Sequence, residues 1–249
     1  MHDLSPDRKR ISIIIPALNE EKLIERLLRQ FTAEIKSSFN IELIVSDGGS
    51  SDSTVEIAKK YADRIIEHKE NFSQNISQGR NAGAKDSLRD VLIFLNADTY
   101  VKDIKYFLTE SLKEFDSSET AAIACRIEVF PEEITLPDKL FHGFYNYYVA
   151  MLNILFVGMG RGECHIIRRE SFKSAGGYDE SLAAGEDFDL YSRLRRSGKI
   201  KFRRDLLVYE SPRRYRKYGY INVIRDWTMN SVSVFIFKKS VSAKWEAVR

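Results

Sequence analysis

Four short apolar runs, Ile11 to Ile15, Ile41 to Ser46, Arg64 to Ile66 and Val91 to Leu95, are separated by longer stretches with apolar residues at helical spacing. Runs without polar alternation belong to strands buried on both faces, which requires helices on both sides of the sheet. The expected fold class is therefore α/β with a largely parallel sheet. Helices are predicted over Glu20 to Ile35, with Leu23, Leu27, Leu28 and Phe31 on one stripe, over Ser53 to Tyr61, and over Asn75 to Leu88. The later part reads as a strand at Thr120 to Val129, a long helix at Asp138 to Phe156 and a strand at Glu163 to Arg168. A helix at Glu186 to Arg196, a strand at Lys201 to Tyr209 and a tail helix at Tyr218 to Phe237 follow. The expected organisation is one domain over residues 1–217 with a helical extension over 218–249.

Of 249 residues, 43% are hydrophobic and 30% charged, enough apolar material for one sizeable core. With 13 glycines, 5 prolines and two cysteines, collagen-like, disordered and disulfide-scaffold chains are excluded. Cys125 and Cys164 lack metal-ligand spacing and are expected as core thiols in a reducing cytosol. The polar first ten residues and the five-residue run that Pro16 closes are too short for a signal-peptide core, so a cytoplasmic location is expected.

The net charge of +3 hides a division: residues 193 to 217 carry +9, residues 218 to 249 carry +3 and the first 192 carry −9. A basic late segment suggests an anionic partner: a nucleoside diphosphate, a nucleic acid or a phospholipid surface. No nucleic-acid module accompanies it, so nucleic acid is not expected.

Leu140 to Gly160 contains no Asp, Glu, Lys or Arg over 21 residues, near the length of a membrane span. His142, Asn146 and Asn153 interrupt it, while Leu140, Phe141, Phe144, Tyr148, Met151, Leu152, Leu155 and Phe156 share one helical face. That pattern predicts packing through the apolar face as a buried or substrate-groove helix, ahead of an interfacial helix and far ahead of a span.

Ligands in open α/β sheets bind beyond the carboxyl ends of the strands. The first run leads into Pro16-Ala17-Leu18-Asn19-Glu20, the second into Asp47-Gly48-Gly49-Ser50, and the fourth into Asn96-Ala97-Asp98-Thr99. Asp47 directly follows a buried strand and must find partners or line a cleft. Asn96 and Asp98, two apart on an extended segment, face the same way, and a carboxylate there can hold Mg²⁺ or Mn²⁺. In Gln78-Gly79-Arg80-Asn81-Ala82-Gly83-Ala84, Arg80 offers a fork to phosphate oxygens. Glu186 and Asp187 open a predicted helix, where either a base or an acidic helix start can reside.

Taken in order, Ser12-Ile13-Ile14-Ile15-Pro16-Ala17-Leu18-Asn19-Glu20, Val45-Ser46-Asp47-Gly48-Gly49-Ser50, Gly79-Arg80-Asn81-Ala82-Gly83-Ala84, Phe94-Leu95-Asn96-Ala97-Asp98-Thr99 and Gly185-Glu186-Asp187-Phe188-Asp189-Leu190 resemble the family 2 glycosyltransferases. The likeness covers about residues 11 to 210. It implies the GT-A fold, a Rossmann-like mostly parallel central sheet, and inverting transfer of a sugar from a nucleoside diphosphate donor with a divalent cation. It assigns Pro16, Leu18, Glu20 and Asp47 to the nucleoside, Arg80 to the donor, Asp98 to the metal and Asp187 to the base, with Glu186 beside it.

Two departures stand out. The first carboxylate of the usual Asp-x-Asp is Asn96, which leaves it hydrogen bonding to ribose or water and leaves open a nucleotide-sugar-binding relative without turnover. Where many relatives carry a His after the last core strand, the chain reads Val208-Tyr209-Glu210-Ser211-Pro212-Arg213-Arg214, so either Glu210 substitutes or Arg213 and Arg214 bind the diphosphate. The tail between basic clusters suits an anionic leaflet, where it would meet a lipid-linked acceptor, and equally suits packing on the domain or in a homo-oligomer.

Overall fold

The computed structural model describes residues 10–70, 74–85, 87 and 89–242. Eight strands, β1 (Ile11–Ala17), β2 (Ile41–Asp47), β3 (Arg64–Glu67), β4 (Val91–Leu95), β5 (Thr99–Val101), β6 (Thr120–Val129), β7 (Cys164–Arg168) and β8 (Lys199–Glu210), form one sheet in the order β3-β2-β1-β4-β7-β6-β8-β5. The β3-β2-β1-β4 half is parallel. β7 runs antiparallel to both neighbours, β8 lies parallel to β6, and β5 closes the far edge antiparallel to β8. The expected α/β class and mostly parallel sheet are what the chain adopts. The apolar runs are buried on both faces, with Ile13, Leu43 and Ile93 in one core layer and Ile14, Ile44 and Phe94 in the other.

The helices are α1 (Ile24–Leu28), α2 (Ala33–Phe39), α3 (Thr54–Ala58), α4 (Ile76–Lys85), α5 (Ile104–Glu114), α6 (Leu136–Ile154), α7 (Arg169–Ser174), α8 (Glu186–Leu194), α9 (Arg213–Tyr218) and α10 (Tyr220–Phe237). The single helix expected over Glu20 to Ile35 is two, because Thr32 turns extended and its hydroxyl accepts the Ile35 N–H at 3.3 Å, starting α2 afresh. Leu88, the expected end of the third helix, lies outside the described residues, as do residues 243–249 of the tail. Helix α4 lies close against the sheet at Gly83, where a Cβ would stand 2.4 Å from Ile14 Cγ2.

Of the packing face expected for α6, Phe141 is buried and Leu152 partly so, but most of the stripe is outside. Leu140 and Phe144 are 66% and 63% exposed, and Leu155 and Phe156 are exposed too, whereas His142, Asn146, Val149 and Asn153 point inward. The buried polar groups have specific partners. Asn146 accepts the Ile127 N–H and donates to the Ile127 carbonyl, beside a register shift between β6 and β8. Asn153 bonds Met159 through both backbone groups, and His142 Nδ1 lies 3.1 Å from Arg161 Nη1. Satisfying these groups outweighs burying the apolar stripe, since an orphaned buried polar group costs about 1–3 kcal/mol.

Candidate active site

The first group of candidate residues lies beyond β1 and β2. Pro16 is near the end of β1, and Leu18 Cβ and Gln74 Oε1 each stand 3.6 Å from the position of a Cβ on Gly48. Asn19 takes a left-handed backbone and staples the two loops, its N–H donating to Ser50 Oγ and its Oδ1 accepting from the Ser51 N–H, both at 2.8 Å. Asp47 is 3% exposed. Its Oδ2 accepts the Gly49 and Ser50 N–H groups at 2.9 Å, a turn that Gly49 permits with φ 95°. Its Oδ1 is buried without a partner among the described residues. A buried carboxylate oxygen left over in this way calls for a donor from a ligand.

The second group lies beyond β4. Arg213, from the start of α9, bridges two carboxylates: Nη2 is 3.0 Å from Glu20 Oε2 and 2.9 Å from Asp98 Oδ2. Arg213 Nε is also buried without a partner among the described residues. Arg214 is half-buried beside it, and Asp98 and Glu163 are among the charges acting on its guanidinium. Glu210 is buried, accepting from Arg161 Nη2 and the Tyr215 hydroxyl, each at 2.8 Å, with the Asp98 charge among those acting on it. Of the two sequence alternatives to a His, the arginine thus faces Asp98 and Glu210 faces inward. Among the described residues, no group of three or more His, Cys, Asp or Glu side chains gathers to hold a metal. The half-buried Asp98 carboxylate with a guanidinium standing in as its cation fits a Mg²⁺ or Mn²⁺ ion held by one protein carboxylate and the phosphates of a ligand.

The third part is built on Arg80, from α4, which is 0% exposed. Nη1 donates to Glu186 Oε1 at 2.9 Å, and Nη2 donates to Asn96 Oδ1 at 3.0 Å and to the Gly162 carbonyl at 2.5 Å. One guanidinium therefore ties the end of β4 to the head of α8. Asp187, half-buried next to Glu186, accepts the Phe188 N–H at 2.7 Å. Burial and the Glu186 charge push its carboxyl up to about 7. Oδ2 faces Gly162, 3.7 Å from where a Cβ would be. A half-buried carboxyl half protonated near neutrality is suited to take a proton from a hydroxyl.

The sequence reading missed Arg161 and Glu163. Arg161 is buried between Glu163 and Glu210; it holds Glu163 down, while burial and the Glu163 charge push Glu210 well up. The Glu163 carbonyl also accepts the Asn96 N–H at 3.1 Å. The available signal was the charged pair in Gly160-Arg161-Gly162-Glu163, ending the uncharged stretch. The basic segment is not one surface either. Arg193, Lys199, Lys201, Arg203 and Arg216 pair with acidic residues elsewhere on the domain, whereas Arg213 pairs with Glu20 and Asp98.

Comparison with known proteins meets this geometry. The family model described as "Glycosyl transferase family 2" matches residues 12–176. The chain belongs to glycosyl transferase family 2. The O-antigen biosynthesis protein RfbC of Myxococcus xanthus is 26% identical over 210 residues, covering 76% of this chain and 16% of that protein. The succinoglycan biosynthesis protein ExoA of Rhizobium meliloti is 28% identical over 200 residues, covering 75% and 58%. The chain thus spans only part of the length of these two family members. Among solved structures, the mannosyltransferase PcManGT from Pyrobaculum calidifontis in complex with GDP-Man and Mn²⁺ superposes with a TM-score of 0.70 at 18% identity, over 90% of this chain and 62% of that one. The S. aureus TarS 1-349 structure in complex with UDP-GlcNAc gives 0.62 at 21% identity, over 81% and 58%. These likenesses show the GT-A fold of the family.

Proposed function

We propose that the protein is a glycosyltransferase that moves a sugar from a nucleoside diphosphate donor to an acceptor hydroxyl with inversion. The observation that carries the reading is Asp187, a carboxyl held near 7 at the head of α8 and joined through Glu186 and Arg80 to the end of β4.

The residues divide the work by position. Asp47 Oδ1 accepts from the nucleoside, with Pro16 and Leu18 beside it. Arg213 and Arg214 meet the diphosphate, Glu20 holding Arg213 in place. Asp98 would hold Mg²⁺ or Mn²⁺, which when bound adds positive charge to the departing diphosphate. Asp187 takes the acceptor's proton as the acceptor oxygen attacks the anomeric carbon, and the bond from that carbon to the diphosphate oxygen breaks on the opposite side. Arg80 acts through Glu186 and Asn96, keeping the base and the strand end in register.

The acceptor suited to such a site is a hydroxyl of a cell-envelope glycan or of a lipid-linked sugar. The test is transfer from UDP, GDP and CDP sugars with Mn²⁺. Asp187→Asn should retain nucleotide binding and lose transfer, and normal transfer by that variant would overturn the assignment.

A further inference from the structure

The orientation of α6 leaves an apolar stripe outside the molecule. Leu140, Phe144, Met151 and Leu155 are exposed, and the helix has no charged side chain after Lys139. Helix α10 presents a second stripe, Ile221, Ile224, Val232 and Ile236, with Ile221 84% exposed, while Val223, Asn230 and Val234 face the domain. The two helices are neighbours. Trp227 of α10 packs on Phe141 and Tyr145 of α6 with ring centroids 6.0 and 5.2 Å away, and Tyr220 lies 5.3 Å from Phe141. Arg216, just ahead of α10, pairs with buried Asp138 of α6 at 2.6 Å, and the Tyr220 hydroxyl bonds the same carboxylate. This seam of rings and one ion pair holds the two stripes side by side.

Exposed cations stand at the ends of both helices: Lys139 before the α6 stripe, Lys217, over the Tyr218 ring, before α10, and Lys238, 3.7 Å from Asp189 Oδ1, and Lys239 after it. Beyond α6, the Arg195 guanidinium lies 4.3 Å from the centroid of the exposed Phe156 ring. Within α10 the exposed acid, Asp226, is paired with Arg225 at 2.8 Å. Apolar and aromatic side chains framed by cations match the layered chemistry of an anionic bilayer surface, acyl chains inside and phosphates outside. No helix among the described residues is long and apolar enough to cross a membrane, so the fitting geometry is two helices lying in the interface.

We infer that α6 and α10 together form one docking face for an anionic phospholipid surface. Both helices border Asp187. Val234 Cγ2 of α10 stands 3.2 Å from the Cβ position of Gly185, two residues before the base, and Tyr145 of α6 lies close enough for the Asp187 charge to act on its hydroxyl. The docking rests on the exposed faces alone and does not depend on the transfer reading.

The test uses the whole chain without donor or acceptor, sedimented with vesicles of phosphatidylcholine alone or with added phosphatidylglycerol. Wild type should partition onto the mixed vesicles and much less onto the neutral ones. Phe144→Glu on α6 and Ile236→Glu on α10 should each lower partition by about tenfold, the loss expected for withdrawing one large apolar side chain from the acyl region. Unchanged melting curves of the two variants show that the fold is intact. The inference is overturned if wild type ignores the mixed vesicles, or if Phe144→Glu binds like wild type, which leaves α10 acting alone. It is also overturned if wild type ignores lipid and is a dimer by light scattering while both variants are monomers, since a second copy then covers the face. Loss of transfer with docking intact would count against the proposed chemistry and not against this surface.

Discussion

Asp187→Asn should make the protein inactive and, above neutral pH, more stable. In the folded chain the carboxyl is raised from 3.8 to about 7. Between those values the folded state keeps a proton that the unfolded chain has released, so stability declines as pH rises through that window. At about 1.4 kcal/mol per pH unit the full displacement is worth about 4 kcal/mol, and the partial solvent access of Asp187 reduces it to about 2. An amide at 187 carries no such dependence. Urea unfolding at pH 5 and at pH 8 should show the variant gaining about 2 kcal/mol on wild type at the higher pH and much less at the lower, equal to a melting shift of about 4–8 °C at pH 8. In the transfer assay, wild-type rate should rise with pH through about 7 as the base ionises, and the variant should lose about 10²- to 10⁴-fold. A stability difference that is flat with pH would refute the burial argument. Full activity in the variant would refute the role.

Other expectations follow from the same contacts. Asp47→Asn can keep one oxygen for both loop N–H groups but removes the charge and turns the other acceptor into an NH₂ donor, so calorimetry should show nucleotide affinity reduced by about 1.5–3 kcal/mol with a smaller effect on folding. Arg213→Gln leaves Glu20 and Asp98 without their shared cation; affinity for a nucleoside diphosphate measured without divalent ions should fall at least about tenfold, with Mn²⁺ restoring part of it. Arg80→Met strands Glu186, Asn96 and the Gly162 carbonyl in a buried place and should cost about 3–5 kcal/mol in denaturant unfolding.

The parallel half of the sheet was legible because Ile11 to Ile15, Ile41 to Ser46 and Val91 to Leu95 admit little else, and the strand ends then fall where ligands bind. Long-range pairing was not. Arg80 read as a phosphate fork from its glycine-rich setting, yet its two Nη atoms are taken by groups 16, 82 and 106 residues away, which no local pattern announces. The α6 error has the same origin. Periodicity ranked the apolar stripe as the inner face, but Asn146 and His142 have buried partners on other elements, Ile127 and Arg161. The three-residue strand β5 was invisible because its pairing with β8 is tertiary. Arg213 entered as one of two alternatives that the family resemblance raised where a His is missing; that it would reach back to Glu20, 193 residues earlier, was beyond any spacing argument.

The amide at position 96 follows from what Arg80 must hold. That guanidinium brings one positive charge to a buried pocket where Glu186 is already its partner and Asp187 is adjacent. Asn96 offers it an oxygen at 3.0 Å and adds no charge. An aspartate in that place would compete with Glu186 for the same cation, drawing Arg80 toward β4 and freeing the acid beside Asp187. What looks along the sequence like half of a lost metal motif is, in three dimensions, the neutral ligand that lets one arginine serve two ends of the cleft.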